Sequence, residues 1–260
     1  MLNTHQAGGP DGFGQQRLKI TASGPQPEER IMEVRVLSRD IEQICSGILC
    51  VASLIGFVYS LIRFFKPRKA LYLKMVGCAL GCMFLERLYG FVQYMVIGDL
   101  TQTFQIGTFG TIGCYLFLFS ANYGTIDSLM DDGSAELRKY RLAALAAPLV
   151  TVAAAVVILT TPSLPGRLIT CATEELFVGL SAYYSLKHLI IPRKYSDFLS
   201  ALRAFHAVSL LLALGTTVEN LMWCYQVMTQ AIWYIPYAIL AAAFLALAPS
   251  LERGIQKWNV

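Results

Sequence analysis

Charged residues are scarce in this chain. They make up 15% of its 260 residues, whereas hydrophobic residues make up 55% and the mean hydropathy is +0.52. Soluble domains carry about 25% charged residues, so this composition excludes an ordinary soluble globular domain and predicts a membrane protein. In a membrane protein the basic residues behind the net charge of +4 report orientation, so no nucleic-acid partner is expected.

Catalytic and metal-binding motifs are missing as well. The chain has no HExxH, GxSxG or Walker sequence, and none of its seven cysteines forms a CxxC or a Cys/His cluster with metal spacing. Most cysteines lie in apolar runs and are expected to pack as small hydrophobic residues, with a disulfide between Cys45 and Cys171 as an open alternative. No cofactor or metal is expected, and an intramembrane enzyme has little support.

The N-terminal segment lacks both an apolar run and a signal peptide. Residues 1–38 are rich in Gly, Pro, Gln and mixed charge, without a basic segment followed by an apolar one. We predict a disordered tail there.

Long apolar runs fill the rest of the chain. A helix needs roughly 20 apolar residues to cross a bilayer, and seven runs approach or exceed this length. The predicted spans are 42–64, 71–97, 103–128, 142–161, 168–190, 200–227 and 231–248. The fold class is therefore an all-α polytopic membrane protein with seven transmembrane helices.

Basic residues accumulate in alternate links between these spans. The residues on this side are Arg63, Lys66, Arg68, Lys69, Lys74, Arg138, Lys139, Arg141, Lys187, Arg193, Lys194, Arg203, Arg253 and Lys257. The opposite short links hold only Arg167. The positive-inside rule places the N-terminus outside and the C-terminus in the cytoplasm of a plasma membrane, with the basic side, including His188, against anionic lipid of the inner leaflet.

Two pairs of similar segments indicate an internal repeat. ERLYGFVQYM at 86–95 and ENLMWCYQVM at 219–228 share four residues at the same positions. YSLIRFFKPRK at 59–69 and YSLKHLIIPRK at 184–194 share six of eleven. If a three-helix unit is duplicated with one further helix between the copies, the two members of each similar pair cross the membrane in the same direction.

The repeats fit a 3+1+3 plan. Its parts are a first three-helix repeat over 39–133, a linker helix over 134–163, a second three-helix repeat over 164–250 and a tail over 251–260. This plan resembles that of the SWEET and PQ-loop transporters, whose parallel repeats are related by an axis along the membrane normal. The Pro-Gln signature of that family is absent, because Pro67 and Pro192 are each followed by Arg, so no functional residue is transferred from it.

Each copy of the first segment places a glutamate inside an apolar run, where an ionisable group is costly and usually marks a functional or paired site. On a helix, each glutamate shares one face with polar and aromatic residues. The two faces are Glu86, Tyr89, Gly90 and Gln93 on one helix, and Glu219, Met222, Trp223 and Gln226 on the other. We predict that these faces line one cavity, with Glu86, Gln93, Glu219, Asn220 and Gln226 as the substrate or proton pathway. The alternative is that each carboxylate only pairs with a cation and locks helices together.

Four further residues are candidates for an ion pair or a gate: Arg87, Asn122, Asp127 and Glu175. Arg87 follows Glu86 but points about 100° away from it on a helix. We therefore expect Arg87 to pair with Asp127, Glu174 or Glu175.

The surroundings of these candidates leave alternatives open. Asn122 and Asp127 either form a cytoplasmic gate or belong to a polar helix end before a turn at 131–133. Glu174 and Glu175 are expected at the outer interface, in contact with water. His206, with no second histidine near it in the sequence, is expected to be a hydrogen-bonded packing residue.

Two functions are compatible with this pattern. The first is an integral membrane transporter or facilitator of a small solute, with proton coupling as an option and a central polar site between the repeats. The alternative is a non-transporting seven-helix receptor, regulator or assembly subunit that acts through a partner protein. A small-molecule or ion ligand fits either function.

Overall fold

The computed structural model describes residues 27–67, 69–97, 106–161, 165–192, 197–225 and 234–258. The regular elements in these ranges are all helices, with no strand among them. The helices are α1 (Pro27–Phe64), α2 (Leu71–Ile97), α3 (Thr108–Ala121), α4 (Asp127–Met130), α5 (Arg138–Ala144), α6 (Ala146–Thr160), α7 (Pro165–Ile190), α8 (Asp197–Tyr225) and α9 (Tyr234–Trp258). A π-helix, Asn122–Ile126, joins α3 to α4, and a 3-10 turn, Ala135–Leu137, leads into α5 and α6.

These elements form seven helical rods, because α3 continues into α4 and α5 continues into α6. Five rods contain segments long and apolar enough to cross a membrane. They are Gln43–Phe64, Leu71–Gln93, Ala135–Thr160, Ala201–Cys224 and Tyr234–Lys257. The predicted all-α fold is thus confirmed for the described residues, and the five segments indicate a membrane protein.

The first rod is longer than the predicted span. Helix α1 begins at Pro27, ahead of the span expected from residue 42, while its apolar part, Gln43–Phe64, matches that span. Residues 27–38, which were assigned to a disordered tail, are helical in the structure. Residues 1–26 lie outside the described part of the chain.

Six rods follow one another around a bundle. Each of the pairs α1/α2, α2/α3, α3/α7, α7/α8, α8/α9 and α9/α1 is packed together. Helix α6 packs mainly on α7 and touches α8 from outside this arrangement. The bundle therefore has α1–α3 on one side and α7–α9 on the other, which places the interior faces of α2 and α8 near each other.

Large apolar side chains cover the outside of the bundle. On α6, Leu149 is 67% exposed and Val156 is 55% exposed. Apolar surface of this extent would promote association in water, but lipid tails solvate it as well as a protein interior does. The exposed surface therefore agrees with the membrane-length runs.

The predicted turn after the third rod is present. The Asp131 carboxylate accepts a hydrogen bond from the backbone N–H of Gly133, and Asp132 accepts one from the N–H of Ser134. Gly133 has φ 79°, a conformation that glycine adopts without steric cost. The Ser134 N–H holds the pKa of Asp132 below its usual range. The predicted turn is thus confirmed, while the choice between a gate and a polar helix end at Asn122 and Asp127 stays a prediction.

Candidate functional site

A cavity of about 80 Å³ lies between the interior faces of α1, α2, α3, α7 and α8. Its polar or charged lining residues are Gln43, Ser46, Glu86, Arg87, Gln93, Thr111, Glu174, Thr216, Glu219 and Asn220. Tyr89, Gly90 and Trp223 also line it. The two helix faces expected from the sequence thus contribute to one cavity, which we call the carboxylate pocket. Gln226 lies outside the described residues.

Arg87 is the charged centre of the carboxylate pocket. Its Nη1 and Nη2 each donate a hydrogen bond of 2.5 Å to Glu219, one to each carboxylate oxygen. Arg87 is 9% exposed and Glu219 is 5% exposed, so this bidentate pair is buried. Bidentate guanidinium–carboxylate pairs are among the strongest polar contacts in proteins. The pair joins α2 to α8.

Glu86 approaches the same guanidinium from within α2. Its Oε2 lies 2.9 Å from Arg87 Nε, a charge contact without hydrogen-bond geometry. The expectation that Arg87 would pair with Asp127, Glu174 or Glu175 was wrong. The long arginine side chain brings Nε back to Glu86, and its two terminal nitrogens reach Glu219 on α8. The direction of the Cα–Cβ bond alone does not predict either contact, because the side chain is long and flexible.

Two more carboxyl groups lie beside the pair. Glu174 lines the carboxylate pocket, and Glu175 accepts hydrogen bonds from Thr217 Oγ1 at 2.7 Å and from Asn220 Nδ2 at 2.8 Å. Both glutamates are buried, so the prediction that they contact water at the interface was wrong. The α7 face that carries them turns toward α8 and the interior of the bundle.

Acidic groups outnumber basic ones among the side chains that the structure describes in this region. Glu174, Glu175 and Glu219 are buried, Glu86 is half-buried, and Arg87 is the basic residue among them. A buried charge without a partner costs several kcal/mol, so protonation or a bound cation would stabilise such a cluster. The carboxylate pocket is therefore chemically suited to bind protons or a small cation.

A glycine stripe on α3 brings that helix against Glu86. A Cβ atom added at Gly110 would lie 2.6 Å from Glu86 Cβ and 2.7 Å from the carbonyl oxygen of Cys82. Gly113 also faces Cys82, and Gly107 faces Tyr89 and Glu86. The stripe thus packs α3 directly on the part of α2 that carries Glu86. Small residues commonly allow such close approach of helices in membranes.

A second charged cluster lies at the far end of α7. Lys187 Nζ lies 2.6 Å from Asp127 Oδ1 and 2.7 Å from Asp131 Oδ2. His188 Nε2 lies 3.0 Å from the same Asp127 oxygen. We call this part of the molecule the Asp127 end. Asn122, the other gate candidate, is fully buried and donates from Nδ2 to the Leu118 carbonyl.

Two histidines meet at the Asp127 end. The ring centroids of His188 and His206 are 4.6 Å apart, and both side chains are fully buried. One expectation was therefore wrong, because His188 does not lie on a lipid-facing surface. His206 is a packed interior residue, and neither of its ring nitrogens has a hydrogen-bond partner among the described residues. The two residues are 18 positions apart on different helices, so only the pairing of α7 with α8 brings them together.

Sequence reasoning missed Glu174, Thr111 and Thr216 as lining residues. A usable signal existed on α8, where Thr216, Asn220 and Trp223 recur at helical spacing on the face of Glu219. The signal on α7 was weaker, because adjacent glutamates near a helix start also occur at water interfaces.

The five membrane-length helices and the site indicate a helical membrane protein with a carboxylate-rich pocket. The chain matches no protein-family model, no curated protein and no solved structure. The function must therefore be inferred from the geometry.

Proposed function

We propose that this protein is an integral membrane carrier or facilitator of a small polar solute, coupled to protons. The observation that carries the proposal is the buried cavity in which Arg87 faces both Glu86 and Glu219. Ionisable residues inside membrane segments are rare, and they typically line substrate, ion or proton pathways.

A change of partner at Arg87 could alter the contact between the two sides of the bundle. Glu219 holds it with two hydrogen bonds, while Glu86 lies close without one. A proton or a cationic group that binds Glu219 would weaken the bidentate pair and leave Glu86 as the remaining counter-charge. Because α2 and α8 lie on different sides of the bundle, this exchange would alter the contact between the sides. Alternating access requires such a change.

The size of the carboxylate pocket limits the solute. A volume of about 80 Å³ holds about five to eight water molecules, at roughly 10–15 Å³ each on this measure. The solute is therefore an inorganic ion or a molecule of a few heavy atoms. The excess of carboxyl groups favours a cation, and the amide and hydroxyl groups of Asn220, Thr111 and Thr216 also suit a small polyol.

The order of the rods supports the proposed parallel repeat. Helices α1–α3 follow one another, as do α7–α9, and the two sets meet at α3/α7 and α9/α1. A twofold axis along the bundle would exchange these two junctions and leave α6 as the linker. We place this arrangement in the plasma membrane, with the N-terminus outside and the basic links on anionic cytoplasmic lipid.

The second candidate is a non-transporting receptor, regulator or assembly subunit. The strength of the buried Arg87–Glu219 pair favours it, because a lock between α2 and α8 would oppose the rocking of one side against the other. In that case the carboxylate pocket binds a ligand whose signal is passed to a partner protein.

Purified protein in proteoliposomes separates the two candidates. A panel of monovalent cations, small amines and small polyols is offered with and without an imposed proton gradient. The carrier proposal predicts saturable uptake of at least one solute that the proton gradient increases. The absence of uptake across the panel, together with a partner that copurifies at fixed stoichiometry, would favour the second candidate.

A further inference from the structure

A row of buried polar side chains runs between α7 and α8. It comprises Ser181, Ser185 and His188 on α7 and His206, Ser209, Thr216 and Thr217 on α8. All of these are at most 4% exposed. We call this row the polar seam. Serine and threonine are common between membrane helices, where they allow close approach and hydrogen-bond across the interface, but two buried histidines among them are unusual.

The polar seam follows the antiparallel contact of the two helices. Glu175 pairs with Thr217 at one level, Ser185 Oγ donates to Ser209 Oγ at 3.0 Å at a second, and His188 meets His206 at a third. The residue numbers rise along α7 as they fall along α8. At 1.5 Å per residue, the path from residue 175 to residue 188 covers roughly 20 Å.

The polar seam ends at the carboxylate pocket on one side and at Asp127 on the other. At one end, Thr216 lines the carboxylate pocket and exchanges a hydrogen bond of 2.7 Å with the buried Tyr115 hydroxyl of α3. At the other end, His188 contacts Asp127, whose side chain is 19% exposed. The seam thus extends from the carboxylate pocket to a carboxylate that water can reach.

Several atoms along the polar seam have no hydrogen-bond partner within the described part of the protein. They are Ser181 Oγ, His188 Nδ1 and both ring nitrogens of His206, all in fully buried residues. A buried polar group left without a partner costs about 1–3 kcal/mol, and nearly all such groups in native proteins bond to protein or to ordered water. Internal water that bridges these groups would satisfy them.

We propose that the polar seam is a hydrated proton path between the carboxylate pocket and Asp127. It rests on the proposed function, for which it supplies the route of the coupled proton. A proton passes from Asp127 to Nε2 of His188, and His188 releases a proton from Nδ1 to bridging water and His206. The hydroxyl groups of the seam and water then carry it to Glu175 and the pocket.

Charged groups around His188 affect how readily it takes up a proton. Asp127 and Asp131 attract a proton toward His188, while the Lys187 ammonium opposes it. The Tyr184 ring packs on His188. Arg203 on α8 donates a hydrogen bond to the carbonyl of Ile191, three residues after His188. Loss of the His206 ring nitrogens should therefore interrupt the path without removing an ion pair.

Proton flux in proteoliposomes with an internal pH indicator tests the path. Under an imposed membrane potential, His206→Phe and His206→Gln, whose side chains cannot take up and release a proton, should each lower the protein-dependent proton flux at least tenfold. Ser181→Ala should lower the flux, whereas Ser53→Ala, at a fully buried serine of α1 that donates to the Cys50 carbonyl, should not. Equal flux in His206→Phe and the original protein would overturn the proposal, as would no protein-dependent flux at all.

Histidine NMR gives a readout that is independent of transport. The chain has only three histidines, so ring-nitrogen labelling yields few signals. A hydrated seam predicts exchange of the His206 ring proton with water, and a ring that does not exchange would overturn the path. If the proton flux depends on His206 but no solute is carried, the carrier proposal fails while the path stands. If solute exchange persists in His206→Phe with its proton dependence intact, the path fails while the carrier proposal stands.

Discussion

Arg87 and Glu219 lie 132 positions apart in the chain and form a buried bidentate ion pair. The pair links α2 to α8, and both residues also line the carboxylate pocket. The same two residues therefore bear on stability and on function, and the two effects can be measured separately.

The first prediction concerns the stability of this pair. Glu219→Leu removes the bidentate partner of the buried Arg87 charge, and should lower the free energy of unfolding by about 3–5 kcal/mol. Arg87→Met combined with Glu219→Leu removes both charges and should cost much less than the sum of the single changes. Chemical unfolding in detergent, arranged as a double-mutant cycle, measures the difference. Additive single effects would show that the two residues are not coupled.

The second prediction concerns the contact of α3 with α2. Gly110→Ala forces a methyl group against Glu86 Cβ and the backbone oxygen of Cys82, and should destabilise the protein by about 1–3 kcal/mol. Gly90→Ala is the matched control, because no atom lies within 4 Å of a Cβ at that position. On helix propensity it should be neutral or stabilising by about 0.5–1 kcal/mol. Equal losses in the two variants would contradict the close packing at Gly110.

The third prediction concerns the Asp127 end. Lys187→Met removes the ammonium that contacts both Asp127 and Asp131, and should lower the free energy of unfolding by about 1.5–3 kcal/mol, the range for hydrogen bonds to charged groups. Lys139→Met, at an exposed position on α5, should change it by less than about 0.5 kcal/mol. Thermal unfolding of the two variants side by side is sufficient. A Lys187 variant as stable as the original would rule out a structural role for this cluster.

Five of the seven predicted spans overlap segments long and apolar enough to cross a membrane, because the length of an apolar run is fixed by the bilayer. Helix α2, Leu71–Ile97, has the predicted bounds, and the apolar part of α1 begins one residue from the predicted start. The sequence also predicted that Glu86 and Glu219 line one cavity, and both line the carboxylate pocket.

The partners of the charged residues could not be predicted, because they depend on which helices are neighbours. Arg87 finds Glu219 across the bundle, and His188 finds His206 across the α7/α8 contact. Glu175 is buried because α8 offers it Thr217 and Asn220 as donors. Helical periodicity gives the face of each residue, but it does not give the helix that the face meets.

The most direct test of the central claim is solute uptake by glutamate variants in proteoliposomes. Glu86→Gln and Glu219→Gln keep the size of each side chain and remove its charge. Glu252→Gln is the matched control, because Glu252 pairs with Arg63 and Tyr59 between α1 and α9, outside the carboxylate pocket. We expect proton-coupled uptake to fall at least tenfold in both pocket variants and to change less than twofold in the control. Unchanged uptake in both pocket variants, with the protein folded and inserted, would contradict a role for these carboxylates in transport.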